Sequence, residues 1–404
     1  MTSQVFTQDQ PTLILSQGFA DIVGFGLNGV VIMRNAVDLK ATTVIEDYSL
    51  NNGGWHIEKH PRLMADITGN QRADIVGFGE FGVLISYNNG DNTFGPQNMV
   101  LKDFAYTAGG WRVERHIRYA ADIRNTGRCD IFGFGEKGVV VAQNNGDGTF
   151  RNAKIVLPEF GYNARWRIER HLRCLANVMG NGRLDIVGFG ESHVFVAENK
   201  GDGTFASAKS VSDDFSYAAG WRIEQHPRLL ADLNGDGKAD IIGFRDDGVY
   251  VSRNSGWGRF GPTKKVISNF GTAQAWSVDK HPRFVADLTG DKRGDIIGFG
   301  DAGVWVALNR GDGTFQDARL ALTDFGAERW SLPKHPRFVA DLNGDGCADI
   351  IGFYDDGVWV AFNNGHGSFS PAQKITDEFG WNDGKWDPST TLRLLANLGS
   401  STRQ

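Results

Sequence analysis

The chain has 404 residues, 41% hydrophobic and 22% charged, which places it among folded proteins and excludes a disordered one. Its formal net charge is -6 with acidic and basic residues interspersed, so no clustered basic face marks a nucleic-acid binder. The opening MTSQVFTQDQ lacks a charged segment followed by an apolar core, and no stretch nears the roughly 18 apolar residues of a membrane span; a soluble protein without a classical secretory signal is predicted, cytoplasmic or released by another route.

The first element with a clear pattern is Ala20-Asp21-Ile22-Val23-Gly24-Phe25, and it returns along the whole chain. Its aspartate recurs as Asp74, Asp130, Asp185, Asp240, Asp295 and Asp349, at intervals of 53 to 56 residues, with Ile131-Phe132 the loosest copy. A fixed period of this size means one supersecondary unit is copied. Within one unit the apolar runs are 281–287, 295–300, 304–308 and 318–325, each bounded by Gly, Asn and Asp turns. Short runs rich in β-branched and aromatic residues predict four strands, here A to D, in an antiparallel meander.

Seven such units without helical periodicity between them predict an all-β, seven-bladed β-propeller filling residues 1–404 as a single domain. The chain enters at a B strand, and the missing A strand stands at the other end as 392–398. Blade 1 is therefore assembled from 12–50 plus 386–398, which closes the ring without a free sheet edge. Blades 2 to 7 follow at about 55–103, 111–159, 166–214, 221–269, 276–324 and 330–378. The three cysteines, Cys129, Cys174 and Cys347, have no metal-ligand spacing and read as buried free thiols.

A meander puts the A–B and C–D turns on one face and the B–C turn and D–A loop on the other. In the D–A loops Trp-x4-His-x-Arg occurs six times: Trp55/His60/Arg62, Trp111/His116/Arg118, Trp166/His171/Arg173, Trp221/His226/Arg228, Trp276/His281/Arg283 and Trp330/His335/Arg337. The seventh copy keeps Trp386 and Arg393 but has Thr391 in place of His. The B–C turns of the same blades carry an acid, Glu80, Glu136, Glu191, Asp246, Asp301 and Asp355, where blade 1 has Leu27. Because strands A and B are antiparallel neighbours, each His is expected beside the acid of its own blade. Six sites are then complete and the seventh lacks both partners. An indole, a carboxylate, an imidazole and a guanidinium together suit a neutral sugar, the indole covering its apolar face and the polar groups its hydroxyls. Packing roles compete with that reading, most strongly for Trp and for the Arg that survives in the broken copy.

The A–B turns suggest a second chemistry. Asp232, Asn234, Asp236, Lys238 and Asp240, and again Asp341, Asn343, Asp345, Cys347 and Asp349, place oxygens at alternate positions around glycines; Asp287, Thr289, Asp291, Arg293 and Asp295 form a weaker copy. Lys238, Arg293 and Cys347 would contribute backbone carbonyls. Such a pattern fits structural Ca²⁺ in two or three turns, an Asx-stabilised turn without metal being the alternative. The turns at Asp66, Asp122-Ile-Arg124 and Asn177-Val-Met179 have lost ligands and are expected to be metal-free.

The repeated Asp-Ile-Val-Gly-Phe-Gly strand, the loop GGWRVERH at 109–116 and the turn NNGDGTF at 144–150 together resemble the fungal propeller lectins typified by Psathyrella velutina lectin. The resemblance spans the chain. It implies pockets between blades that take terminal N-acetylglucosamine, calcium in some turns, and sialylated glycans as further ligands of some members. Arg245 and Tyr354 replace the Gly before the acid, His193 a turn Gly, and Ser277 and Ser331 follow Trp, so those sites are expected to differ. A multivalent, non-enzymatic lectin binding glycans and glycoproteins is the leading reading. An integrin-like, calcium-binding interaction propeller and a glycan-processing enzyme are the alternatives; the enzyme is disfavoured because one constellation recurs six times with no differentiated nucleophile.

Overall fold

The segment Asp-Ile-x-Gly-Phe, with Val, Ile or Phe at its centre, forms the second strand of every blade, and its aspartate is a buried brace. Asp74 accepts the backbone N–H groups of Asn88 and Ile67 at 2.8 and 2.9 Å. Asp185, Asp240, Asp295 and Asp349 accept the corresponding pairs, which tie strand B to the turns after strands A and C. Burial raises the carboxyls of Asp74, Asp185, Asp240, Asp295 and Asp349 to about 6.

The computed structural model describes residues 20–34, 38–382 and 385–399. They form seven four-stranded antiparallel sheets with almost no helix. Blade 1 combines Asp21–Phe25, Val30–Arg34 and Asp38–Ile45 with the C-terminal strand Leu392–Ala396, in the register Gly24 opposite Arg393 and Phe25 opposite Leu392. The chain ends meet in one blade, as expected; residues 12–19 of that expected blade lie outside the described residues.

Blades pack face to face. One apolar cluster joins Phe353 and Val358 of blade 7 to Ile22 and Met33 of blade 1, completing the ring. In blades 2 to 7 a buried Asn after the C strand adds a polar staple. Asn144 Nδ2 donates to the Cys129 carbonyl of its own blade and, at 2.8 Å, to the Ile67 carbonyl of the blade before. Buried amides satisfied on both sides fix blade spacing more sharply than apolar contact alone. Cys129, Cys174 and Cys347 are buried and take part in no disulfide.

Candidate functional site

In six blades the imidazole and the acid meet. His60, His116, His171, His226, His281 and His335 place Nε2 at 3.3, 3.1, 3.2, 3.0, 2.9 and 3.1 Å from Glu80, Glu136, Glu191, Asp246, Asp301 and Asp355. The sheet register causes this, since the start of strand A runs beside the end of strand B. Each Nδ1 accepts a backbone N–H from the residue following Trp, for example Arg112 N–H to His116 at 3.1 Å. Nδ1 is thus an acceptor, so the proton sits on Nε2 and is donated to the carboxylate. The imidazoles are buried, whereas the acid side chains are 27% to 60% exposed. It is the acid, held in place by a neutral His, that faces solvent.

Electrostatics follow this arrangement. Burial, outweighing the adjacent carboxylate, lowers His60, His116, His171 and His335 below the ordinary imidazole value. The Thr107 hydroxyl and His60 hold Glu80 down, and Thr272 and His226 do the same for Asp246. For Asp355 burial acts upward but is outweighed by Lys334 and His335, which lower it. Arg170 and Lys334 also pair with Glu191 and Asp355, at 2.8 and 2.5 Å.

Trp and Arg, expected at the sugar site with packing as the competing role, both have packing partners. Trp55, Trp111, Trp166, Trp221, Trp276 and Trp330 stack on Tyr48, Phe104, Phe160, Phe215, Phe270 and Phe325 with ring centroids 4.6 to 5.0 Å apart. Their ring ends lie over the glycine of strand B, as Trp221 does over Gly243. The indole N–H is used too, in blade 3 by Asp103 at 3.1 Å. Each indole thus packs against an aromatic neighbour, and Trp55 also lines the cleft beside His60. Arg62, Arg118, Arg173, Arg228, Arg283 and Arg337 are buried, each with Nη1 donating to the carbonyl of that same Tyr or Phe. Burial pulls their pKa values down, Arg118 to about 9. They bind the loop to the strand.

Around His60 and Glu80 the surface forms a cleft of about 430 Å³, walled by Asp47, Gly53, Trp55, His56, Leu84 and Met99 among others. Leu84 and its counterparts Val140, Phe195, Tyr250, Trp305 and Trp359 were not singled out from the sequence. Each stands opposite the glycine of strand B and is half-buried between buried neighbours. Their signal was available: a variable large residue at one fixed position of an otherwise constant strand C.

In blade 1, Leu27 and Thr391 do fall together, but they form no pair. The Thr391 hydroxyl turns back to the Asp387 carbonyl, and the Leu27 carbonyl accepts the Asn51 N–H.

The A–B turns are arranged around N–H donors. Asp232 accepts backbone N–H groups from Asn234, Gly235, Asp236 and Gly237. Asp287 and Asp341 gather the same kind of donors. Asn234 and Asn343 donate to Asp236 and Asp345, while Lys238 and Arg293 form ion pairs with Asp236 and Asp291. The Cys347 N–H is held by Asp345, and Thr289 donates weakly to Asp295. Among the described residues no three His, Cys, Asp or Glu side chains converge as a metal cluster. Asp240, Asp295 and Asp349 have the bracing role that Asp74 and Asp185 have in turns lacking the ligand pattern, so their presence is explained by the fold. In blade 3 the Arg124 guanidinium occupies this ground, bonding Asp130 at 2.7 Å.

The model of FG-GAP-like repeats matches residues 232–297 and 287–351. No curated protein matches the chain. Among solved structures, an Agrocybe aegerita lectin described as specifically recognising non-reducing terminal N-acetylglucosamine superposes with a TM-score of 0.96 at 58% identity, over 98% of this chain and 100% of its own. The Photorhabdus luminescens Tc holotoxin pore gives a TM-score of 0.49 at 16% identity, over 89% of this chain and 16% of that one. A Bacillus licheniformis rhamnogalacturonan lyase gives 0.29 at 10% identity, over 87% and 88%.

Proposed function

Because the chain belongs to the family of the Agrocybe aegerita propeller lectin, we propose that it is a multivalent lectin that binds terminal N-acetylglucosamine on glycans and glycoproteins. The observation that carries this reading is the sixfold recurrence of an exposed carboxylate oriented by a buried neutral imidazole beside an apolar wall. A carboxylate so fixed accepts hydroxyl or amide protons from a sugar, and the wall covers the sugar's apolar surface. His orients the acid, while Trp and Arg set the loop that carries both. Six copies on one face, each weak alone, gain about 10² to 10⁴ in avidity when several engage one glycosylated surface.

The same recurrence favours binding over turnover, since catalysis by paired acid and base needs two groups in distinct environments. A glycan array read together with competition by free N-acetylglucosamine tests the proposal. Binding confined to glycans ending in that sugar, abolished by the free sugar, is expected; binding that survives competition refutes it and favours an interaction propeller.

Structural calcium in the turns at 232–240, 287–295 and 341–349 is part of the proposal. The alternate oxygens of the donor set support it. The ion would have to share or displace N–H groups now bonded to Asp232, Asp287 and Asp341.

A further inference from the structure

The six His–acid sites differ in the strand-C residue at the position of Leu84, which lines the cleft beside His60 and Glu80. It is aliphatic in blades 2 and 3, Leu84 and Val140, and aromatic in blades 4 to 7, Phe195, Tyr250, Trp305 and Trp359. All six stand in the same register opposite a strand-B glycine, so they occupy one position in space relative to the acid. The end of the blade's Trp ring fills the space over each of these glycines, and the strand-C residue stands half-buried beside it, with Leu84 lining the cleft next to His60 and Glu80. The aromatic walls are also oriented. The Tyr250 hydroxyl donates to Asp247 at 3.0 Å, Trp359 Nε1 donates to Asp356 at 2.9 Å, and Phe195 meets Trp166 edge to face. Across the sheet, the aliphatic walls are flanked by exposed Met99 and Ile155, which accounts for two of the large apolar side chains left on the surface.

We propose that this strand-C residue grades affinity around the ring: pockets walled by Phe195, Tyr250, Trp305 and Trp359 hold N-acetylglucosamine more tightly than those walled by Leu84 and Val140. The inference rests on the lectin reading and deepens it. A ring face offers the polarised C–H groups of a pyranose, or an acetamido methyl, an attraction that an isopropyl group lacks. An edge of about 0.5–1.5 kcal/mol for such contacts corresponds to roughly a two- to tenfold difference in site affinity. The acid changes alongside the wall, Glu in blades 2 to 4 and Asp in blades 5 to 7. Blade 4, with Glu191 and Phe195, separates the two variables because it has the long acid and the aromatic wall.

The test is a series of crystals of the full chain soaked at rising N-acetylglucosamine concentration, with occupancy refined pocket by pocket. Alongside it, the sugar is titrated calorimetrically into the wild type, Trp305→Leu and Leu84→Trp. Pockets of blades 4 to 7 are expected to fill first; Trp305→Leu should weaken one site severalfold, and Leu84→Trp should strengthen one. Equal filling of all six, or earlier filling beside Leu84 and Val140, overturns the grading while leaving the lectin reading intact. No sugar in any pocket and no heat of binding overturns both.

Discussion

The end of the Trp221 indole lies where a side chain on Gly243 would be: an added Cβ would stand 2.5 Å from two ring carbons and 2.9 Å from Phe215. The indole cannot retreat, because it is stacked on Phe215 and its N–H is held by Asp214 at 3.0 Å. Gly243→Ala should therefore cost about 1–3 kcal/mol, the usual penalty of overpacking, in a denaturant titration. A loss under about 0.5 kcal/mol would show that the ring yields and is not fixed by its partners.

Glu136 and His116 should separate by substitution. Gln in place of Glu136 still accepts the His116 N–H, so Glu136→Gln is expected to keep the melting temperature and lose one sugar site. His116→Ala removes a buried ring bonded to Glu136 on one side and to the Arg112 N–H on the other. It should lose the same site and cost about 1–3 kcal/mol as well, the penalty for leaving a buried donor unpaired. Calorimetric stoichiometry with thermal melts checks both; an unchanged site count in Glu136→Gln would remove that acid from the ligand set.

Stability and sugar binding should part company in acid. His60, His116, His171 and His335 titrate below 6.5 in the fold, so as pH falls through 6.5 the unfolded chain gains protons that the folded chain refuses, and stability drops. Asp74, Asp185, Asp240, Asp295 and Asp349 act with opposite sign. Their carboxyls titrate near 6 when folded against 3.8 otherwise, so between about 6 and 3.8 the fold holds extra protons and gains stability as pH falls. In calcium-free buffer the melting temperature should therefore stay level or rise from pH 6 to pH 4. Sugar affinity should fall wherever the folded imidazoles do take up a proton, because a protonated Nδ1 then faces a backbone N–H it formerly accepted. Melts and titrations at matched pH would decide it, and parallel decline of the two quantities would refute it.

Chelation tests the turns. If calcium binds at Asp232, Asp287 and Asp341, removing it should lower the melting temperature by the linkage of an ion that binds only the folded state, about 2.7 kcal/mol at a hundredfold excess over its dissociation constant. Sugar affinity should hardly change, because these turns lie on the face opposite the His–acid pairs. A melting temperature indifferent to chelator and to added Ca²⁺ means that the N–H groups alone hold these turns.

What was legible in the sequence was whatever repeats. The period gave the strands and the ring closure, and the shared register of His and acid predicted the contact that His60 makes with Glu80. The parts of Trp and Arg were ambiguous, since repetition marks a packing residue as readily as a ligand: the Arg118 guanidinium closes on the Phe104 carbonyl, and its counterparts do the same. Asp240 was ambiguous for the same reason, serving equally as a ninth loop ligand or as the brace that Asp74 provides where the ligand pattern is missing. The wall residues escaped because they vary, and only the pairing of Leu84 with Gly77 shows that variation at one spot is variation within a pocket.

Blade 1 offers a gain-of-function test of the same logic. Strand pairing places Phe25 opposite Leu392, so Leu27 and Thr391 flank the position that the acid and imidazole fill elsewhere. The double substitution Leu27→Glu and Thr391→His supplies both groups where the indole of Trp386 and the buried Arg393 already support the loop. The blade's wall residue is Val31, opposite Gly24, so the new pocket should resemble those of Leu84 and Val140. A seventh, weak site is the expected outcome, with neither single substitution sufficient, because an imidazole without its acid orients nothing and the acid without its imidazole is left mobile in water. If the double variant binds no additional sugar while keeping the wild-type melting temperature, the pair alone does not make a site, and the D–A loop of the six working blades must contribute contacts that blade 1 lacks.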